Sequence, residues 1–180
     1  MDKKGIIEKK SKNVAKGEIL IGILIPVILL IVLLHNIIAF RIIPTASMSG
    51  TIETGDLTMT NMCFYKNRDI SRYDVVLANR GKEIVQKRVI GMPGDEITFS
   101  DGLVYVNGVA LDEPYLQKGV KTECNKSFQV PKNSYFLLGD NRTNSSDSRE
   151  WDSPYVKKED ILGRTYAALG CNDGIHIRLL

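Results

Sequence analysis

Two residues of this 180-residue chain stand in settings that can do chemistry together, Lys87 and Ser47. Lys87 lies in the run Lys82–Asp95, KEIVQKRVIGMPGD, whose stretch from Ile84 to Ile90 alternates like a β-strand. Successive strand side chains point to opposite faces. Val85, Lys87 and Val89 therefore share one face, and Ile84, Gln86, Arg88 and Ile90 the other. A lysine between two β-branched apolar neighbours is a candidate for desolvation, which disfavours the ammonium and lowers the pKa from about 10.4. So tuned, it can serve as a general base near neutral pH. A solitary strand lysine more commonly snorkels to water along its own stem, so the reading depends on its company. That company is Ser47, in the segment Ile43 to Thr51, IPTASMSGT. A serine beside a neutral base is an activated nucleophile, and the small Ala46 next to it leaves room for a substrate backbone. Without Lys87, Ser47 would be read as a loop serine closing a local turn.

Other chemistries have less support. The chain has two histidines, His35 in an apolar stretch and His176 near the C-terminus. A Ser-His-Asp triad would rest on His176 alone, and an alternating Ile175-His176-Ile177 run reads as ordinary strand. The cysteines Cys63, Cys124 and Cys171 are odd in number and lack the close pairs of a zinc site. No metal or organic cofactor is expected. A disulfide remains open, with Cys124–Cys171 as the candidate pair.

The elements that must position Ser47 and Lys87 are strands. Leu57 to Phe64, Asp74 to Ala78, Ser134 to Leu138 and Ile161 to Leu169 read as strands, and Lys157 to Asp160 as one helical turn. Ile97–Phe99 and Leu103–Val106 flank Ser100-Asp101-Gly102 as a hairpin, and Asn107-Gly108 is a further tight turn. A polar, turn-rich loop, Gly139 to Arg149, follows an apolar strand; its Asp140, Arg142, Asp147 and Arg149 alternate in sign. The expected fold class is mainly β: an N-terminal transmembrane helix followed by a compact antiparallel β catalytic domain.

The domain boundaries come from charge and hydropathy. Residues 1–18 carry six lysines against Asp2, Glu8 and Glu18, which accounts for the whole net charge of +3 and leaves the rest neutral. A neutral body argues against nucleic-acid binding. Residues 19–40 are almost wholly apolar and carry no formal charge; as a helix they would span about 33 Å, enough for a hydrocarbon core of about 30 Å. That length exceeds the apolar region of a cleavable signal peptide, so the stretch is read as a retained anchor. The lysines before it place the N-terminus in the cytoplasm and residues 41–180 outside. The expected organisation is a basic cytoplasmic tail (1–18), an anchor (19–40) and an extracytoplasmic catalytic domain (41–180).

PTASM, KRVIGMPGD and GDNRTNSSDSR, in this order after an N-terminal anchor, resemble the type I signal peptidases, as does the intervening VNGVALDEPYL. The resemblance implies a membrane-bound serine protease with a Ser/Lys pair that cuts signal peptides from exported preproteins. Ser47 matches its nucleophile and Lys87 its general base. Thr45 matches the hydroxyl that, with the Ser47 N–H, forms the oxyanion hole. By the same resemblance Ser145 orients the Lys87 amine, Asp147 and Arg149 pair to hold the loop, and Asp140 pairs with Arg88. Met48 is expected to help wall the substrate pockets and keep the positions before the cut small. The implied partners are preproteins, the lipid bilayer and the export machinery. The chain departs from the family pattern at Gly50, where Pro is usual, at Tyr73, where Gly is usual, and at Trp151-Asp152 in place of Trp-Gly. Two rivals remain. A self-cleaving repressor-type Ser/Lys protease would need a DNA-binding N-terminal domain, which the anchor replaces. A non-catalytic, signal-peptidase-like assembly factor for surface or pilin subunits would be expected to have lost Ser47 or Lys87.

Overall fold

The computed structural model describes residues 21, 23–29, 31, 37–170 and 175–180, and the chain divides into two units, Met1–Ile37 and Ile38–Leu180. In the first, residues 21, 23–29 and 31 are helical with exposed side chains. Among the described residues no helix is long and apolar enough to cross a membrane. The tail (1–18) and residues 19, 20, 22, 30 and 32–36 of the expected anchor fall outside the described residues. One boundary moves: strand β1 (Ile38–Ile42) begins inside the stretch assigned to the anchor. It pairs antiparallel with β2 (Leu57–Asn61) along its whole length. An apolar run does not by itself distinguish a strand from the end of a span; the hydrogen-bonding partner decides here.

The second unit continues with β3 (Val75–Arg80), β4 (Glu83–Gly91), β5 (Glu96–Ser100), β6 (Leu103–Val106), β7 (Val109–Ala110) and β8 (Phe128–Gln129). Then come β9 (Ser134–Leu138), β10 (Tyr155–Lys157), β11 (Ile161–Gly170) and β12 (His176–Leu179). Among the described residues these form two antiparallel sheets. The larger runs β1-β2-β11-β3-β4-β9-β10, with β12 also on β11; the smaller runs β7-β6-β5-β8. The hairpin turns follow the sequence chemistry. Asp101-Gly102 and Asn107-Gly108 all have positive φ, between 52° and 80°, as a twisted two-residue hairpin demands. The strand expected to reach Phe64 stops at Asn61, whose side-chain Oδ1 accepts the Cys63 N–H at 2.9 Å and starts a 3₁₀ turn at Phe64–Lys66. That local bond competes with the ladder and wins. The expected turn before β11 is likewise 3₁₀, at Lys158–Asp160.

β4 divides the core as its alternation requires. Val89, with Val85 against it, packs among Val76, Ala78, Leu137 and Trp151. Ile90 packs instead with Ile97, Val104, Phe136 and Leu138, between the two sheets. A third cluster, Ile43, Met48, Ile52, Val75 and Ala168, lies beneath the Ser47 turn. Each fully buried Val or Ile in these clusters contributes about 1.5–3 kcal/mol, so the strand that carries Lys87 is anchored on both faces. Cys124 is a free thiol; Cys171, its candidate partner, lies outside the described residues.

Candidate active site

The loop from β1 to β2 turns tightly at Ser47. Ser49 N–H donates to the Ala46 carbonyl, and the N–H groups of Thr51 and Ile52 donate to that of Met48. The fold brings this turn onto β4, and Lys87 Nζ donates to Ser47 Oγ at 2.6 Å. Lys87 is only 5% exposed. Burial lowers its pKa from the ordinary lysine value, while the charges of Asp147 and Asp140 oppose that shift without reversing it. Thr45 Oγ1 lies 3.4 Å from Ser47 Oγ on the exposed side of the turn. These groups line a cleft of about 560 Å³ together with Arg41, Ile43, Pro44 and Glu83 to Gln86. β4 pairs with β9 only from Arg88 onward, so among the described residues no strand pairs with this edge of Glu83 to Lys87, which lines the cleft. Met48 borders the cleft but is 2% exposed and belongs mostly to the third core cluster.

Opposite Lys87 on the strand, Arg88 forms a two-point ion pair with Asp140, Nε to Oδ1 at 2.9 Å and Nη2 to Oδ2 at 2.5 Å. The Thr51 hydroxyl donates to the same carboxylate at 2.6 Å, tying the nucleophile turn to the 139–149 loop. Asp147 is fully buried and accepts from Arg149 Nε and Nη2 and from Gly139 N–H. The expected pairs are therefore both formed. Ser145 differs: its Oγ is buried and makes no hydrogen bond, so the orienting contact to Lys87 is not made in this structure. The hydroxyl packs over Gly139 instead, where a Cβ would lie 2.1 Å from it.

The model of the signal peptidase, peptidase S26, family matches residues 16–169. The chain belongs to the signal peptidase family. It is similar to the probable signal peptidase I-2 of Synechocystis, 38% identical over 70% of this chain and 60% of that protein. Signal peptidase I S of Bacillus subtilis is 32% identical over 83% of this chain and 89% of that one. A crystal structure of a signal peptidase I from Enterococcus faecalis matches 54% of this chain and 97% of its own, with 30% identity and a TM-score of 0.47. The type I signal peptidases to which the chain is related are serine endopeptidases.

Part of the frame that holds the candidate site gives no sign in the sequence. Arg142 is buried, donates to the Gly139 carbonyl, and grips Glu113 and Thr122. Tyr115 stacks on the Arg88 guanidinium, 4.0 Å from ring centroid to carbon. The sign alternation of the loop marked Arg142 as charged, but nothing in sequence spacing pointed to Glu113, twenty-nine residues earlier. Two of the three departures from the family pattern, Gly50 and Tyr73, stand at positive φ. Gly50 has φ +98° and its N–H donates to Glu53 Oε1; proline allows neither. Tyr73 stands at φ +74°, a region where glycine rests without strain and a tyrosine does not.

Proposed function

We propose that the chain is a membrane-anchored serine endopeptidase that removes N-terminal signal peptides from exported preproteins through Ser47 and Lys87. The observation that carries this reading is the 2.6 Å contact of Lys87 Nζ with Ser47 Oγ at the floor of an open cleft. The neutral Lys87 amine takes the Ser47 proton as Oγ attacks the scissile carbonyl. The negative charge on the carbonyl oxygen is met by the Ser47 N–H and the Thr45 hydroxyl. The Lys87 ammonium then protonates the leaving amine, and the mature protein departs. A water deprotonated by Lys87 next attacks the Ser47 ester, releasing the signal peptide and restoring the enzyme.

The substrate lies extended in the cleft, adding to the free edge of Glu83–Lys87. Alternate side chains then face the enzyme, which restricts the residue before the cut and the one two earlier, with Met48 among the walls. Retention of both Ser47 and Lys87 favours this reading over a non-catalytic assembly factor. Support for the membrane anchor comes from residues 19–40 and from one face of the larger sheet. Strand pairing lines up Ile42, Leu57, Leu169 and Ile177 in one row and Phe40, Met59, Ala167 and Leu179 in the next. Phe40, Ile42, Ile177 and Leu179 are 56–83% exposed, an apolar face suited to a bilayer surface.

The test is cleavage of a preprotein by the full chain in detergent, beside Ser47→Ala, with Leu or Phe placed at each of the three residues before the cut. Ser47→Ala is expected to be inactive, and bulk to be tolerated only at the middle position. Cleavage by Ser47→Ala would remove the nucleophile assignment, and equal restriction at all three positions would remove the extended-strand binding mode.

A further inference from the structure

We propose that Asn141 is the positioning residue of the oxyanion site, aiming the Ser47 N–H by holding the carbonyl at the other end of the same peptide. The inference rests on the reading of Ser47 as nucleophile. Asn141 Nδ2 donates to the Ala46 carbonyl at 3.0 Å, and Asn141 N–H donates to the Ser47 carbonyl at 3.1 Å. One residue thus grips two successive carbonyls of the nucleophile turn. The Ala46 C=O and the Ser47 N–H belong to one planar trans peptide, so they point in opposite directions. Fixing the oxygen fixes the hydrogen. Among the described residues no protein group accepts the Ser47 N–H, which leaves it for a substrate oxygen. A donor on the carbonyl also polarises the peptide and strengthens its N–H as a donor.

The amide is held the right way round. Thr143 Oγ1 donates to Asn141 Oδ1 at 3.2 Å, which leaves the NH₂ end for Ala46. The loop reaches this close because Gly139 has no side chain: a Cβ there would lie 2.4 Å from the Ser47 carbonyl oxygen. Asn141 acts through the Ser47 peptide, so it serves the transition state and not the bound ground state.

That difference is what the experiment reads. The full chain in detergent is compared with Asn141→Ala, which loses the side-chain donor, and Asn141→Asp, which keeps the shape but sets an oxygen against the Ala46 carbonyl. Both keep the backbone bond to Ser47. Three quantities are measured: kcat and KM on a preprotein, affinity for a substrate-like peptide boronate, whose tetrahedral adduct on Ser47 presents an oxyanion, and affinity for the product signal peptide. Removing one oxyanion donor outright costs about 10²–10³ in kcat; misaiming one is expected to cost about 10–10²-fold. Boronate affinity should fall in parallel, with KM and product affinity within about twofold of the parent and Asp at least as impaired as Ala. Unchanged kcat, or equal loss of boronate and product affinity, overturns the proposal. If Asn141→Ala does not fold, Asn141→Asp decides on the same criteria. A parent enzyme that cleaves preprotein but forms no boronate adduct on Ser47 would overturn the nucleophile reading, and this inference with it.

Discussion

Lys87 and Arg88 are adjacent on one strand, both buried, and their charges have opposite fates. Arg88 meets Asp140 in a two-point ion pair, stacks on Tyr115 and donates to the Tyr73 carbonyl. Its charge is fully compensated. Lys87 points to the other face, which it shares with Val85 and Val89 on its own strand and where Val76 is its register partner on β3, and its amine contacts a serine hydroxyl. Asp147 and Asp140 act on it only at a distance, and desolvation prevails. Burial alone therefore does not make a base. Burial without a paired carboxylate favours the neutral amine that the proposed base needs, and a strand supplies the two environments one residue apart because its side chains alternate.

The largest expected effect breaks the catalytic side of this contrast. Lys87→Met keeps the length and packing of the stem but removes the proposed base. Activity on a preprotein should fall by up to about 10⁴-fold, the upper end for a general base, with no loss of stability. The stability of the parent should also depend on pH in a way the variant's does not. Folding lowers the Lys87 pKa below 10.5, so between the depressed value and 10.5 the unfolded chain binds more protons and stability rises with pH. Denaturant titrations over that range should show the slope in the parent and a smaller slope in Lys87→Met. Identical slopes would mean that the lysine is not desolvated.

Next in size is the structural side. Arg88→Met leaves Asp140 buried with the Thr51 hydroxyl but without its cation, a loss of about 3–5 kcal/mol for breaking one half of a buried pair. Adding Asp140→Leu should recover most of that stability, since a buried pair is often worth no more than well-packed apolar residues. Chemical denaturation measures both. If the double variant were as unstable as the single one, the pair would be worth more than the penalty for orphaning a carboxylate.

The third effect is a displacement of a pH profile. The proposed base must be neutral to act, so kcat/KM should rise with pH through the depressed pKa of Lys87. Asp147 holds that pKa up; Asp147→Asn removes the charge and leaves Arg149 unpaired, and both changes favour the neutral amine. The acid limb should move to lower pH even as the rate falls. A limb that stays in place would assign it to another group.

These contrasts were partly legible in the sequence. Alternation through Ile84–Ile90 placed Lys87 and Arg88 on opposite faces, because strand periodicity is a local property and the flanking residues are β-branched. The hairpin turns were legible for the same reason, with Asp-Gly and Asn-Gly specifying positive φ. What depended on distant partners was not. β1 reads in sequence as the end of an apolar span because its partner strand begins fifteen residues after it. Glu113 gives no sign in sequence that it will meet Arg142. Ser145 lay in a recognisable motif, yet rotamer and loop path decide whether a serine reaches a lysine, and here it packs over Gly139.

The smallest expected effect concerns Tyr73, which joins the Arg88 side through its backbone and its ring. Its φ of +74° costs about 1–2 kcal/mol relative to glycine. Against that strain stand the edge-on packing with Tyr115, 5.8 Å between centroids, and the hydroxyl bond to the Asp112 carbonyl at 3.0 Å. An aromatic pair is worth about 0.5–1.5 kcal/mol and a hydrogen bond about 1. Tyr73→Gly should therefore change stability by no more than about 1 kcal/mol in either direction, because relief and loss nearly cancel. Tyr73→Ala keeps the strain and loses both contacts, so it should be the less stable of the two by about the cost of the strain. Because Tyr115 rests on Arg88 and not on Lys87, neither variant should displace the acid limb of kcat/KM. If Tyr73→Gly moved that limb as far as Asp147→Asn does, the two faces of the strand would not be independent, and the contrast between the two cations would have to be redrawn as one shared network.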